Sequence, residues 1–481
     1  MIKAFFAKAR KQLQSFWPKK AQPEAAPASE PAQQEQPQAQ PAEQRRPPRR
    51  RRPERPKTPP QPAWTLAEFP VAPLEGRSRF HDFGLPLELM RGIAELEFKY
   101  CTPIQEQALP AALAGQDIIG KAGTGTGKSA VFLIALFTRL LKDRQAPRKP
   151  GLPRALIIAP TRELVAQIAK DSKALGKYLP LRAAAVFGGA EYQKQAQLLR
   201  SQPVDVIAAT PGRLLDYVSQ GVISLAQVEI MVIDEADRML DMGFIPDVRR
   251  IISRLPPKEQ RQTLLFSATV NADVKHLAAQ WCVKPVSIES DPEQVAVETV
   301  RQVIYTVTSE EKYTVLYNLL AGQGASRVMV FANMKHEAAR LHERLRCNGL
   351  ETVLLSGDVP QEKRMARLER FRDGKVKAMI ATDVAGRGIH IDGISHVVNY
   401  SLPYEPEDYV HRIGRTGRAG ESGTAVSFAC EEGAFQLPAI EEYIGRKLAC
   451  VMPEDELLVP PPPPSVAAAP PERQEKRRRR R

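Results

Sequence analysis

The segment Ala122-Gly123-Thr124-Gly125-Thr126-Gly127-Lys128-Ser129 follows a short stretch, Asp117–Gly120, that reads as the end of a strand. An apolar helix is expected after it, from about Ala130 to Leu141. Strand, glycine-rich loop and helix in that order make a phosphate cradle. Glycines let backbone N–H groups wrap the phosphates, and the helix N-terminus adds partial positive charge. In such a loop Lys128 reaches the β- and γ-phosphates of a nucleotide, and the Ser129 hydroxyl holds Mg2+. Ala122 stands where the general pattern begins with Gly; a plain glycine-rich turn is the competing reading. Farther along, the apolar run Ile230–Ile233 leads straight into Asp234-Glu235-Ala236-Asp237. Carboxylates at the C-terminal edge of a parallel sheet face the ligand crevice. Asp234 is placed there to hold Mg2+ and Glu235 to orient an attacking water. An isolated acidic tetrapeptide is more often a solvated loop, but this one follows a buried strand downstream of a phosphate loop.

These residues need a scaffold, and the chain between its tails has the texture of one. Short apolar runs read as buried parallel strands: Ala155–Ala159, Val204–Ala208, Ile230–Ile233, Thr263–Phe266, Val328–Phe331, Ala378–Ile380 and His396–Val398. Longer amphipathic stretches such as Glu163–Leu175 and His336–Asn348 lie between them. This alternation predicts α/β architecture with two tandem doubly wound parallel sheets, joined near Asp291–Gln302. The expected organisation is a basic amphipathic helix at 1–20, a disordered Pro/Gln/Arg-rich tail at 21–77, a first domain at 78–295, a second at 296–450 and a disordered Pro/Arg-rich tail at 451–481. No short-period repeat is visible.

The formal charge of +14 sits in the tails. Residues 1–58 carry 14 Lys/Arg against 5 Asp/Glu, residues 471–481 carry 7 against 2, and residues 59–470 balance at 48 against 48. A cationic tail attracts polyanions without reading their sequence; a merely solubilising role is the alternative. The five cysteines, Cys101, Cys282, Cys347, Cys430 and Cys450, include no closely spaced pair that would hold a metal. Their scatter suggests reduced thiols and a cytoplasmic setting. No stretch is apolar enough to span a bilayer, and Met1–Lys20 has neither the apolar core nor the cleavage site of a secretory signal. In that segment Ile2, Phe5, Phe6, Ala9, Leu13, Phe16 and Trp17 recur at helical spacing among Lys3, Lys8, Arg10 and Lys11. A docked helix, a helix on an anionic membrane surface and a frayed tail all fit this pattern.

From about Arg79 to Ile444 the sequence resembles the DEAD-box RNA helicases, whose name Asp234-Glu235-Ala236-Asp237 spells in one-letter code. The resemblance implies two RecA-like domains, RNA-stimulated ATP hydrolysis with Mg2+, and local unwinding of RNA. It makes Thr102-Pro103-Ile104-Gln105, within residues 78–106, an adenine-reading Q motif through the Gln105 amide, with Phe80 stacking on the base; taken alone, Phe80 is more often a core residue. Ser267-Ala268-Thr269 matches the motif coupling nucleotide state to RNA grip. RNA backbone contacts are implied for Pro160, Thr161, Arg162, Gly188, Gly189, Thr210, Pro211 and Arg213 in the first domain, and for Asn333, Gln361, Arg364, Thr382 and Arg387 in the second. Asp383 is implied at the nucleotide. In His411-Arg412-Ile413-Gly414-Arg415-Thr416-Gly417-Arg418, Arg415 and Arg418 share one face of a helical turn and match the family's arginine fingers. Met334, Ser356 and Gly386 depart from the family's usual Thr, His and Ala.

Gly388-Ile389-His390-Ile391, Ala429-Cys430-Glu431-Glu432 and Leu437-Pro438-Ala439-Ile440-Glu441 point within the family to a bacterial branch. That branch implies an RNA-decay assembly, or degradosome, with an endoribonuclease as partner. A role in ribosome assembly or cold adaptation is the alternative, as are a DNA- or protein-remodelling ATPase on the same fold and a non-catalytic RNA-binding scaffold. The intact set of Lys128, Asp234, Glu235, Arg415 and Arg418 argues against the scaffold.

Overall fold

The structure, a computed structural model, describes residues 64–464 apart from 124–125, 143–147, 290–299, 323, 358, 360, 387–390, 392, 418–422 and the side chains of 361 and 362. Among the described residues fourteen strands form two sheets. The first holds β1 (Ile118–Lys121), β2 (Ala155–Ile158), β3 (Ala183–Val186), β4 (Val206–Ala209), β5 (Ile230–Ile233), β6 (Gln262–Ser267) and β7 (Val286–Glu289). The second holds β8 (Val300–Thr306), β9 (Val328–Phe331), β10 (Thr352–Leu355), β11 (Ala378–Ala381), β12 (His396–Asn399), β13 (Gly423–Ala429) and β14 (Cys450–Val451). Their orders are β3-β4-β2-β5-β6-β1-β7 and β10-β11-β9-β12-β13-β8-β14. Replacing each strand of the second sheet by its counterpart in the first gives the same order, so the chain repeats one topology twice. Paired strands are parallel throughout, as the continuous apolar runs require of a sheet covered on both faces.

Alternation within each strand divides the core. Ile157 and Val232 face one hydrophobic cluster while Leu156, Ile158, Met231 and Ile233 face another. In the second sheet Val328 and Val330 go one way and Met329 and Phe331 the other. Each sheet thus separates two apolar layers, and each hydrophobic cluster stays within one lobe. The helix Lys128–Lys142 is apolar almost all round because it is buried against the first sheet. Arg162–Leu175 and Lys335–Cys347 present narrower stripes and line the outer faces.

The strands expected from sequence are present within a residue or two. Six were not anticipated: β3 reads Ala-Ala-Ala-Val, β7 and β14 are edge strands, β10 is a four-residue edge strand, and β8 and β13 mix apolar with polar residues without a clean period. The expected tail boundaries at 77 and 451 differ from the structure. Phe69 and Val71 are buried in the first core, and residues 451–464 lie along the second lobe. There the Asn318 amide donates to the carbonyls of Leu457 (2.9 Å) and Val459 (2.8 Å), and the Tyr305 hydroxyl donates to Glu454 (3.0 Å). A few apolar anchors and donors aimed at backbone carbonyls order these proline-rich stretches despite their composition. Met1–Lys20 lies outside the described residues. Among the described residues no helix is long and apolar enough to cross a membrane.

Candidate active site at the carboxyl edges of two sheets

In a parallel sheet every strand ends on the same edge, so loops far apart in sequence converge there. In lobe one β1 ends at the phosphate loop, β2 at Pro160-Thr161-Arg162, β3 at Gly188-Gly189, β4 at Thr210-Pro211, β5 at Asp234-Glu235 and β6 at Ser267-Ala268-Thr269. The phosphate loop begins with buried Ala122, whose N–H donates to the Ser267 carbonyl (2.9 Å). At its far end Gly127 has φ +92°, a left-handed conformation that favours glycine. Thr102 and Gln105 hold this end. The Thr102 hydroxyl donates to the Thr126 carbonyl (2.8 Å) and the Gln105 amide to the Gly127 carbonyl (3.2 Å), while Gln105 Oε1 accepts from Thr102 N–H (2.9 Å). Both ends of the Gln105 amide are thereby engaged, and the residue is 5% exposed. Thr124 and Gly125 lie outside the described residues. The structure corrects the stacking role expected of Phe80: its ring is 1% exposed and packs against Phe98 at 6.2 Å between centroids, so it has no open face for a base.

Lys128 opens the following helix and is buried. Its Nζ lies 3.5 Å from Asp234 Oδ1 and has no hydrogen-bond partner among the described residues. Burial is the main force raising the Asp234 pKa; Lys128 opposes the shift and Glu235 adds to it. An ammonium with unused donors beside a carboxylate that burial disfavours is an unfinished electrostatic arrangement. Phosphate oxygens would complete the first, and a hard divalent cation would complete the second with the Ser129 hydroxyl as a further oxygen donor. The residues therefore fit a Mg–nucleotide. Glu235 has φ +53°, left-handed in a residue with a side chain. Such strain clusters at working sites. Its N–H donates to Asp234 Oδ1 (3.0 Å) and its carboxylate faces Arg238 Nη1 at 3.4 Å. Asp237 accepts from the N–H groups of Ala268 (3.0 Å) and Thr269 (2.9 Å), tying the acidic segment to the end of β6.

The remaining strand ends of lobe one form a polar margin. Thr161 caps the helix Arg162–Leu175 by accepting from Leu164 N–H (3.3 Å). Arg162 lies beside Gly188, where an added Cβ would stand 3.5 Å from its Nη2. The Arg213 guanidinium sits 5.0 Å from the Tyr192 ring centre and 5.7 Å from that of Tyr217.

Lobe two brings Asn333, Thr382 and Asp383 to its own carboxyl edge, around a residue that sequence reasoning gave no role. Arg412 is 2% exposed. It grips Asp383 through two parallel bonds of 2.6 Å, and also donates to Asn333 (2.8 Å), Asn399 (3.3 Å) and the Ser401 carbonyl (2.7 Å). Its guanidinium lies 5.2 Å from the Phe331 ring centre. Position alone, two residues before the glycine of an arginine-rich signature, does not announce this; a buried arginine needs its partners to be seen. Arg415 is 4% exposed and donates to the His411 carbonyl (3.2 Å). Arg364 meets Glu163 of lobe one at 2.7 Å and donates to the Ala385 carbonyl (2.7 Å). Arg238 of lobe one donates to the Val384 carbonyl (3.2 Å). The strand-end segments of the two lobes therefore touch. Arg387 and Arg418 lie outside the described residues, as does the Gln361 side chain.

Residues 102–277 match the DEAD/DEAH box helicase family, and residues 311–420 match the Helicase conserved C-terminal domain family. "ATP-dependent RNA helicase RhlB" of Pseudomonas putida is 57% identical over 392 residues, covering 81% of this chain and 98% of that protein. The protein of the same name from Pseudomonas aeruginosa is 58% identical over 389 residues, with the same coverage. Among solved structures, S. cerevisiae Dbp5 bound to RNA and ADP BeF3 superposes with a TM-score of 0.70 at 32% identity, covering 78% of this chain and 96% of that one.

Proposed function

The chain belongs to the DEAD/DEAH box helicase family, as an ATP-dependent RNA helicase, and from that premise we propose how its residues divide the work. The observation that carries the reading is Lys128 Nζ, buried at the end of the phosphate loop without a hydrogen-bond partner and 3.5 Å from Asp234. Lys128 and the loop amides of 122–129 bind the β- and γ-phosphates of ATP. Asp234 and Ser129 would hold Mg2+, which would supply charge neutralisation on the phosphates. Glu235 orients the water that attacks the γ-phosphorus, its carboxylate steadied by Arg238. Gln105 and Thr102 act on the far end of the phosphate loop, so the loop's shape follows the first turn of the helix Pro103–Leu113. Arg415 and Arg418 supply positive charge from lobe two, and Arg412 fixes Asp383 at the carboxyl edge of that lobe.

RNA lies across the strand-end margin of both lobes. Pro160, Thr161, Arg162, Gly188, Gly189, Thr210, Pro211 and Arg213 serve one stretch of backbone, and Asn333, Gln361, Thr382 and Arg387 the next. Contacts of this kind reach phosphates, sugars and 2′-hydroxyls, which makes binding sequence-independent and selects RNA over DNA. Arg364 contributes by joining the lobes through Glu163. One strand held out of A-form geometry loses pairing locally, and phosphate release reopens the cleft. The cellular setting proposed is RNA decay in the cytoplasm, in an assembly with an endoribonuclease, with residues 1–20 docking on a protein or an anionic membrane.

The test is Glu235→Gln. It keeps ATP binding and lowers RNA-stimulated hydrolysis by about 10²-fold or more. Turnover within about threefold of the parent removes Glu235 from the mechanism, since loss of a general base exceeds that. Stimulation by DNA equal to that by RNA removes the 2′-hydroxyl argument. Affinity capture after nuclease treatment, with an endoribonuclease absent from the recovered material, removes the decay assembly.

A further inference from the structure

Lobe two repeats lobe one strand for strand, with β8, β9, β12 and β13 in the places of β1, β2, β5 and β6. In lobe one the ends of those four strands frame the nucleotide crevice. In lobe two the ends of their counterparts frame a cavity of about 460 Å3. This cavity is not built for a second nucleotide. β8 is followed by Val307-Thr308-Ser309-Glu310 rather than a glycine-rich loop. The Ser309 N–H and hydroxyl both donate to Glu431 Oε2, at 3.0 and 2.8 Å, so a carboxylate of the chain already sits at the loop. Tyr400-Ser401 stands after β12 where Asp234-Glu235 stands after β5. Lys312 opens its helix much as Lys128 does, but its Nζ lies 4.5 Å from the Tyr400 ring centre and 3.9 Å from Glu337.

What the cavity offers instead is basic and apolar. Arg340 and Arg344, one helical turn apart on Lys335–Cys347, line one wall, and neither makes an ion pair among the described residues. The Arg344 guanidinium rests 3.6 Å from the Tyr313 ring centre, a position that leaves its N–H edges available. Two acids share the lining. Glu337 is engaged by the Ser401 hydroxyl (2.7 Å), and Glu432 is the other. At the rim Met334 is 48% exposed and Tyr404 60%, and Phe435, 68% exposed, lies beside the lining residues Gly433 and Gln436. Large side chains left open around a cavity mark a surface built to be covered. Since residues 59–470 are neutral overall, unpaired arginines gathered at one apolar opening set its charge preference.

We propose that this cavity is a docking site for an extended acidic segment of a partner protein that carries a bulky apolar side chain. Carboxylates meet Arg340 and Arg344, and the apolar side chain enters between Met334 and Tyr404. A phosphodiester backbone fits less well, because it has no large apolar group for the rim. Asn333, assigned above to RNA, shares the lining, but Arg340, Arg344, Met334 and Tyr404, on which the proposal rests, have no part in the ATP and RNA assignments.

The experiment uses the full chain and a fluorescein-labelled nonapeptide of repeating Glu-Glu-Phe, read by anisotropy. Saturable binding is expected, weakened by about tenfold or more in the R340E/R344E variant and with a Lys-Lys-Phe peptide. A Glu-Glu-Ser peptide binds more weakly by a similar factor, about tenfold, because the rim is left uncovered. Tyr404→Ala changes an exposed side chain without touching the core, and lowers affinity several-fold. RNA-stimulated ATPase of R340E/R344E stays at the parent level, which separates lost docking from lost folding. Unchanged peptide affinity in R340E/R344E places the peptide on the basic tails and overturns the proposal. So does equal binding of the Ser peptide, or a variant that loses RNA affinity while keeping peptide affinity.

Discussion

Replacing Arg412 by Met should destabilise lobe two and leave lobe one intact. Met keeps much of the volume and the apolar stem but removes every donor. Left behind are the Asp383 carboxylate, the side-chain oxygens of Asn333 and Asn399, and the Ser401 carbonyl, all of which Arg412 satisfies in the parent. Breaking a buried ion pair from one side costs about 3–5 kcal/mol, because the surviving charge is uncompensated. At a urea dependence of about 2 kcal/mol per M, that is a midpoint lowered by about 1.5–2.5 M. The three tryptophans, Trp17, Trp64 and Trp281, all precede lobe two, so their fluorescence follows the first lobe and circular dichroism follows both. The expected result is a dichroism transition that splits, with the tryptophan midpoint unchanged. Arg412→Lys should recover only part of the loss, since one ammonium cannot form two parallel bonds to a carboxylate. Adding Asp383→Asn to Arg412→Met should be less harmful than the separate effects suggest, with a coupling of about 2 kcal/mol. A shift of the Arg412→Met dichroism midpoint below about 0.5 M, near 1 kcal/mol at that slope, would refute the reasoning.

Gly127→Ala should abolish ATP binding measured by a fluorescent nucleotide, because the new Cβ would lie 2.3 Å from the Gln105 amide nitrogen at φ +92°; retained binding would show that Gln105 and Thr102 do not shape the loop. Burial pushes the thiols of Cys101 and Cys282 up to about 12, whereas Cys450 is exposed. Below that value the thiolate fraction rises about tenfold per pH unit. At pH 8 iodoacetamide should therefore modify Cys450 well before Cys101 or Cys282, and mass spectrometry finding the reverse order would contradict the burial. Deleting residues 1–63 and 465–481 should preserve ATPase at saturating RNA while weakening RNA affinity and flattening its salt dependence, because the tails carry the net charge; an unchanged slope in filter-binding titrations would show that they do not contact RNA.

The site was more legible in the sequence than the full fold. Lys128, Asp234 and Glu235 announce themselves because each follows an apolar run that can only be a covered strand, and the sheet then brings their loops to one edge. β3 and β8 were hidden, the first by its run of alanines and the second by a sequence, Val-Arg-Gln-Val-Ile-Tyr-Thr, that is neither a continuous apolar run nor a strict alternation. Phe80 shows a sharper limit. An aromatic at the right spacing has the same sequence whether its ring faces a ligand or the core, and only packing tells the two apart. Arg412 was unreadable for a related reason, since its partners Asn333, Asp383 and Asn399 come from three separate strand ends. Residues 64–77 and 451–464 look like linker by composition, yet Phe69, Val71 and the bonds from Asn318 order them.

Among the described residues no hydrophobic cluster spans the lobes, and polar contacts join them, Arg364 with Glu163 and Arg238 with the Val384 carbonyl. Hydrogen bonds of this kind contribute about 1–3 kcal/mol each at most. Turning a cleft that is open 99 times in 100 into one that is closed as often needs about 5.5 kcal/mol. Contacts on that scale record closure without commanding it. The balance has to come from whatever lies between the lobes, and if nucleotide and RNA each supply only part, neither alone reaches the threshold. On the function proposed above, such a protein would compute a logical AND, committing its ATP only when both inputs are present.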